Sequence, residues 1–536
     1  MGNQLQTLDY IVFITYFFIV SGYGYWIYQR KKAAVTNAND FFLAEGALTW
    51  WAIGASLIAS NISAEQFIGM SGSGFAMGLA IASYEWMAAL TLIVVAVFFM
   101  PGYIQNRIFT MPQFLEKRYS PLVATMMAVF WLLVYVFVNL TSILYLGAIA
   151  ISTISGFSFT ACAMFIAIFA IVITLGGMKV IGYTDVIQVA ILILGGLATT
   201  YLALNLVADQ TGGGGMLAGL GQLKAQAPEH FHMIFDKSNP YYKDLPGMTV
   251  LIGAMWIANL NYWGCNQYIT QRALGAKLET ARSGLLFAAF LKLLMPIIVV
   301  LPGIAAYVLH QKGMFQAEMV NAAGEVKPDR AYPVLLNLLG PGLKGLSFAA
   351  LTAAIVASLA GKANSIATIF TLDLYKKYWN KDAGEDTQVR IGRWAVIISM
   401  LIAILVAPQL QRLEQGFQFI QEFTGLISPG VVAIFLLGFF WKRATATAAL
   451  VAALLTIPMG FGIKFLMPEV PFLDRMGWVF LVLVALMAVI SLADPKSKDN
   501  PKAMKVDVEQ FRTSQTFAIG ALLVIGVLAA LYIVFW

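Results

Sequence analysis

Apolar runs of about twenty residues recur from one end of this chain to the other, and each is long enough to cross a hydrocarbon core of about 30 Å as a helix. In a bilayer every backbone N–H and C=O must be satisfied within the protein, which leaves helices and closed barrels as spanning forms. The runs are continuous rather than alternating, which specifies helices. Composition agrees: 60% of residues are hydrophobic and 11% charged, against about 25% charged in a soluble domain. The expectation is an all-α integral membrane protein with about fourteen transmembrane helices.

The first apolar run begins near Tyr10 with no basic residue before it, so it reads as a retained span rather than a signal peptide. The net charge of +7 is not a nucleic-acid footprint, because the lysines and arginines fall mostly in short loops, where they set orientation. Their bias places both termini outside. Cys162 and Cys265 lie in apolar segments and imply no disulfide framework. His230, His232 and His310 are assigned to loops and suggest no metal site. No GxxxxGK[ST] nucleotide-binding loop is present.

The second run, Leu48 to Ser71, is interrupted by the stretch from Ala59 to Gly74, which mixes Asn61, Glu65 and Gln66 with serines and glycines. Broken helices at membrane depth release carbonyls and polar side chains for substrate and ion sites. A small-residue packing seam is the plainer alternative. The seventh run, about Met248 to Tyr268, carries Asn259, Asn261, Tyr262, Gly264 and Asn266. Matched interruptions five helices apart fit two five-helix repeats of opposite topology.

Ala59 to Gly74, Ala82-Ser83-Tyr84-Glu85-Trp86, Ala258 to Gly264, Phe287 to Leu293 and Phe417 to Glu422 resemble, in order and spacing, segments of the sodium:solute symporter family. The resemblance covers nearly the whole chain. It implies a five-plus-five inverted-repeat (LeuT-like) core within one transporter domain. Its divisions would be a first extra helix at 1–46, a first repeat at 47–208, an external loop at 209–247, a second repeat at 248–441 and three C-terminal helices at 442–536. It also implies a central sugar site made by Gln66, Glu85, Asn259, Lys292 and Gln421, with Tyr262 stacking on the ring and Asn61 holding its hydroxyl. Met70, Tyr84 and Phe417 correspond to an outer gate, and Trp263 joins the gating residues. Carboxamides suit sugar hydroxyls because both donate and accept. One carboxylate and one ammonium add charge-assisted hydrogen bonds and cancel in charge, which suits a neutral ligand. Glu85 and Lys292 could instead be a buried structural ion pair. Galactose-transporting members have a serine where this chain has Ala88.

For sodium, the resemblance implies the carbonyls of Ala59, Ile62 and Ala354 and the hydroxyl of Ser358, with Ala357 replacing a second serine. Hydroxyls that serve a second sodium in some members are Ala360 and Gly361 here, although Asp185 remains. Lys362 lies one helical turn after Ser358, on the same face. It could act as a tethered cation that weakens or replaces sodium, or pair with Asp185, or snorkel to the membrane rim. The expected function is sodium-coupled import of a neutral monosaccharide, galactose or glucose, across a bacterial inner membrane by a monomer or weak homodimer. The alternatives are a sodium-independent or proton-coupled sugar carrier and a non-transporting sugar sensor. No nucleophile–base pair or metal cluster points to an enzyme.

Overall fold

The structure is a computed structural model that describes the chain except residues 1–4, 32–48, 109–110, 177–178, 275, 322–323, 413–414 and 505–506. The Asp185 side chain also lies outside the described residues, so its expected pairing with Lys362 does too. The described chain is helical nearly throughout, with a single isolated β-bridge, Val320 to Val326, in a loop.

Nine described helices are long and apolar enough to cross a membrane, ten with the bent pair Gly416–Gly425 and Ser428–Phe440. The difference from about fourteen has several sources. The seventh run is broken into three short helices: Met248–Ile252, Met255–Gly264 and Gln267–Leu274. Two further helices, Thr7–Lys31 and Phe159–Gly176, are described throughout only over Thr7–Ile19 and Phe159–Val172, so neither enters the count. The span Glu65–Gln105 counts once although the chain reverses inside it.

That reversal follows from the packing against Leu278–Gln311. Gly54 lies on Gly284 and Phe287, Ser71 on Gly303 and Gly74 on Val300, so residues 50–77 run parallel to this helix. Trp86 Nε1 donates to the Leu293 carbonyl at 3.4 Å and Arg282 Nε to the Ala96 carbonyl at 3.2 Å, so residues 83–105 run antiparallel to it. The turn is at Gly78, where φ is +75°. A Cβ there would also come within 2.3 Å of the His230 carbonyl, so glycine is required twice over. His230 itself is buried, donates from Nε2 to the Phe75 carbonyl at 3.1 Å and stacks on Tyr307. His310, expected in a loop, sits inside the helix Leu301–Gln311.

The second broken helix is arranged in the same way. Its successive pieces pack beside residues 83–94, 95–99 and 100–105 in rising order, hence parallel. Each broken helix therefore lies alongside the unbroken helix that follows the other one, the exchange that two inverted repeats produce.

Candidate substrate site

The first break is made by Ser63 and Gln66. The α-helix Trp50–Asn61 stops at Ile62, whose backbone is extended, and a π-turn over Glu65–Met70 leads into Ser71–Met77. Ser63 and Gln66 form a capping box that restarts the helix. The Ser63 hydroxyl accepts from the Glu65 N–H at 3.1 Å, and the Gln66 Oε1 accepts from the Ser63 N–H at 3.2 Å. The consequence falls on the carbonyls one turn back. The Ser63 N–H, which would bond the Ala59 carbonyl in a continuous helix, goes to the Gln66 side chain instead. The Gln66 N–H, which would bond Ile62, goes to the Ser63 carbonyl at 3.2 Å. Ala59 and Ile62 are thus two of the carbonyls that the break releases.

A cavity opens beside this break. Asn61, Gln66, Glu85, Asn259, Lys292 and Gln421 line it, and so do Tyr84, Tyr262, Trp263 and Phe417. The chain distances separating these residues make their convergence a property of the fold alone. Ala88 also faces the cavity, so the hydroxyl it lacks is missing from the wall itself.

The polar groups interlock. Lys292 Nζ donates to Glu85 Oε2 at 2.5 Å and to Asn61 Oδ1, while Asn61 Nδ2 meets the Tyr262 hydroxyl at 3.1 Å. Lys292 also sits 5.1 Å above the Trp263 ring, within cation–π range. Asn259 uses its amide nitrogen on the Met255 carbonyl at 3.1 Å, leaving its oxygen for a ligand. Gln66, held by Ser63 through its oxygen, has its amide nitrogen left for one. The Tyr84 hydroxyl and the Asn261 side-chain Oδ1 are buried on the cavity wall without a hydrogen-bond partner. Buried polar atoms are partnered in folded proteins, so orphans on a cavity wall mark places for a polar ligand or water.

One side of the cavity is shut. The Tyr84 and Phe417 rings meet edge-to-face with centroids 5.1 Å apart, and Met70, the third expected gate residue, is fully buried but does not line the cavity. A loop is pinned over this closure by Asp329, which is 1% exposed. Its Oδ2 accepts from the Gly416 N–H at 2.9 Å, next to Phe417. Its Oδ1 has no partner and lies where a Cβ on Gly72 would come within 2.6 Å. The glycines of the broken helix thus serve packing, while its Asn61, Glu65 and Gln66 face the cavity. Burial raises the Asp329 carboxyl to about pH 7, against the smaller opposing effects of the Gly416 N–H and Lys327.

Of the expected sodium ligands, Ala354 and Ser358 lie on the continuous helix Leu343–Thr368, and Ser358 is buried but not on the cavity wall. Lys362 is on the wall, together with Glu65, a residue to which no site role was given from sequence. Tyr135, Asn139, Asn266 and Ser428 are further wall residues that the sequence did not single out as site residues. Their one legible signal is a polar residue one turn from another within an apolar helix, as in Tyr135 and Asn139.

The sequence pattern of the sodium:solute symporter family matches residues 41–456. The chain belongs to that family. It is 48% identical to a sodium/glucose cotransporter of Vibrio parahaemolyticus, over 100% of this chain and 99% of that one. It is 34% identical to sodium/myo-inositol cotransporter 2 of Sus scrofa, over 85% of this chain and 70% of the relative. Its fold is that of a Na+-coupled sialic acid symporter solved substrate-bound and outward-open, with a TM-score of 0.76 at 20% identity, covering 91% of this chain and 98% of that one.

Proposed function

We propose that this symporter imports a neutral monosaccharide, galactose or glucose, with sodium as the co-substrate, across the inner membrane of a bacterium. The observation that carries this reading is the charge-balanced Glu85–Lys292–Asn61 network in a cavity with unpartnered polar atoms on its wall. Such a wall matches a ligand with several hydroxyls and no charge. The relative that is 48% identical over the full length is named for sodium and glucose, which supports the same solute class. In the cavity Gln66, Glu85, Asn259, Lys292 and Gln421 bind the hydroxyls, Tyr262 stacks on the ring, Tyr84, Phe417 and Met70 close the outer side, and Asn61 and Trp263 are further gating residues.

Sodium would be held by the carbonyls of Ala59, Ile62 and Ala354 and the Ser358 hydroxyl. These are hard oxygen donors, and the diverted N–H groups of Ser63 and Gln66 free two of them. The repeats would divide the chain at 47–208 and 248–441, both termini would face outward, and the protein would work as a monomer or weak homodimer.

The test is uptake of labelled galactose, and separately glucose, into proteoliposomes at fixed pH with an inward gradient of sodium or of potassium. Accumulation with sodium only is expected. Equal uptake with both ions would favour a sodium-independent carrier, the reading that Lys362 on the cavity wall supports. Binding of either sugar without uptake would make the chain a sensor, and neither binding nor uptake would refute the sugar reading.

A further inference from the structure

Lys362 is 6% exposed, and its Nζ lies 5.0 Å from the centroid of the Tyr135 ring and 4.9 Å from that of Tyr268. Both distances are inside the ~6 Å at which a ring face attracts a cation. The two rings come from distant parts of the chain and are fixed by one residue. Asn266 Oδ1 accepts from the Tyr135 hydroxyl at 2.8 Å and from the Tyr268 N–H at 3.1 Å. Glu65 places a carboxylate on the wall of the same cavity. Glu65 has one oxygen buried without a hydrogen-bond partner. Two ring faces and a carboxylate are the elements of a cation site, and a side chain of this protein already reaches into it. Arg272 stacks on Tyr268 at 5.5 Å and is tied to Ser56 Oγ at 2.5 Å, outside the cavity wall.

We propose that Tyr135, Tyr268 and Glu65 form a cation site distinct from the expected sodium ligands, filled by the ammonium of Lys362 as a resident ion. Glu65 then needs no ion from solution, and removing the ammonium turns the position into a site for a small organic cation or sodium. The site is defined by protein geometry and is tested without sugar or transport, so its failure is separable from failure of the sugar-symport reading.

The probe is methylammonium, which reproduces the end of the lysine side chain. Full-length protein, Lys362→Ala and the double variant Glu65→Gln/Lys362→Ala are purified in detergent. Their thermal unfolding is followed by tryptophan fluorescence over a methylammonium chloride series, with the double variant in the same series as the control for ionic strength. The midpoint of Lys362→Ala is expected to rise by roughly 1 °C for each tenfold increase in methylammonium above its dissociation constant. The unsubstituted protein and the double variant are expected not to respond. An equal response in all three proteins, or none in Lys362→Ala, overturns the proposal. If Lys362→Ala does not fold, the charge-free pair Glu65→Gln/Lys362→Met is expected to fold, and its failure overturns the proposal as well.

Discussion

Replacing Asp329 by Asn should change how the stability of this protein depends on pH. The carboxyl is buried against Gly72 and Gly416, and it holds its proton up to about pH 7 in the folded protein, against an ordinary value of 3.8. Charged and titratable groups near it are Lys327 and Arg330 on its own segment and Tyr145 on the neighbouring helix. A carboxyl whose value is raised by folding stabilises the fold fully below its unfolded value. That stabilisation is lost as pH rises through the folded value. The gap from 3.8 to about 7 corresponds to about 4 kcal/mol in full, of which roughly 3 kcal/mol falls between pH 5 and pH 8. Asparagine keeps an oxygen for the Gly416 N–H and does not titrate. The wild-type advantage over Asp329→Asn should therefore be larger at pH 5 than at pH 8 by about that amount. Tryptophan fluorescence of the purified proteins through thermal unfolding at the two pH values measures it. His230, which burial pushes below the usual imidazole range, is common to both proteins and cancels in the comparison. An equal difference between the two proteins at both pH values would refute the argument.

Lys292→Met leaves Glu85 charged and unpaired in the cavity wall, and should destabilise the protein by about 3–5 kcal/mol, most of it recovered in Glu85→Gln/Lys292→Met. Thermal unfolding of the single and double variants checks this, and both should lose sugar binding. Ala88→Ser adds a hydroxyl to the cavity wall and should tighten galactose by about 1 kcal/mol, roughly fivefold in dissociation constant, read by isothermal titration. Gly72→Ala brings a Cβ within 2.6 Å of Asp329 Oδ1 and 2.9 Å of its backbone. It should cost about 1–3 kcal/mol and make a thiol introduced beside Phe417 react faster with a polar reagent from the outer side, because the loop must lift.

The helical class, the membrane location and the break in the second run were legible because they rest on local signals: run length, charge depletion and a Ser-x-x-Gln box. The way the box diverts the donors of Ala59 and Ile62 is also in the sequence for a reader who asks where each N–H goes. The second broken helix was less legible. Its asparagines drew attention, yet Asn259 and Asn261 sit within the regular helix Met255–Gly264, and the breaks are at Gly253 and at Cys265 with Asn266. The 48° bend after Gly425 has no proline inside the first helix to announce it, only one just after the second begins. Hardest to see was the role of Glu65. A carboxylate's meaning depends on which cation faces it, and Lys362 arrives from a helix nearly three hundred residues away, carried by Tyr135 and Tyr268 from two others.

The cavity wall holds two carboxylates, Glu65 and Glu85, and two ammonium groups, Lys292 and Lys362. A membrane potential of 100 mV acts with about 2.3 kcal/mol on each elementary charge moved across the full field. With all four ionised, the wall itself adds no net charge, so the charge on which the potential acts in the loaded cavity is that of the cation accompanying the solute.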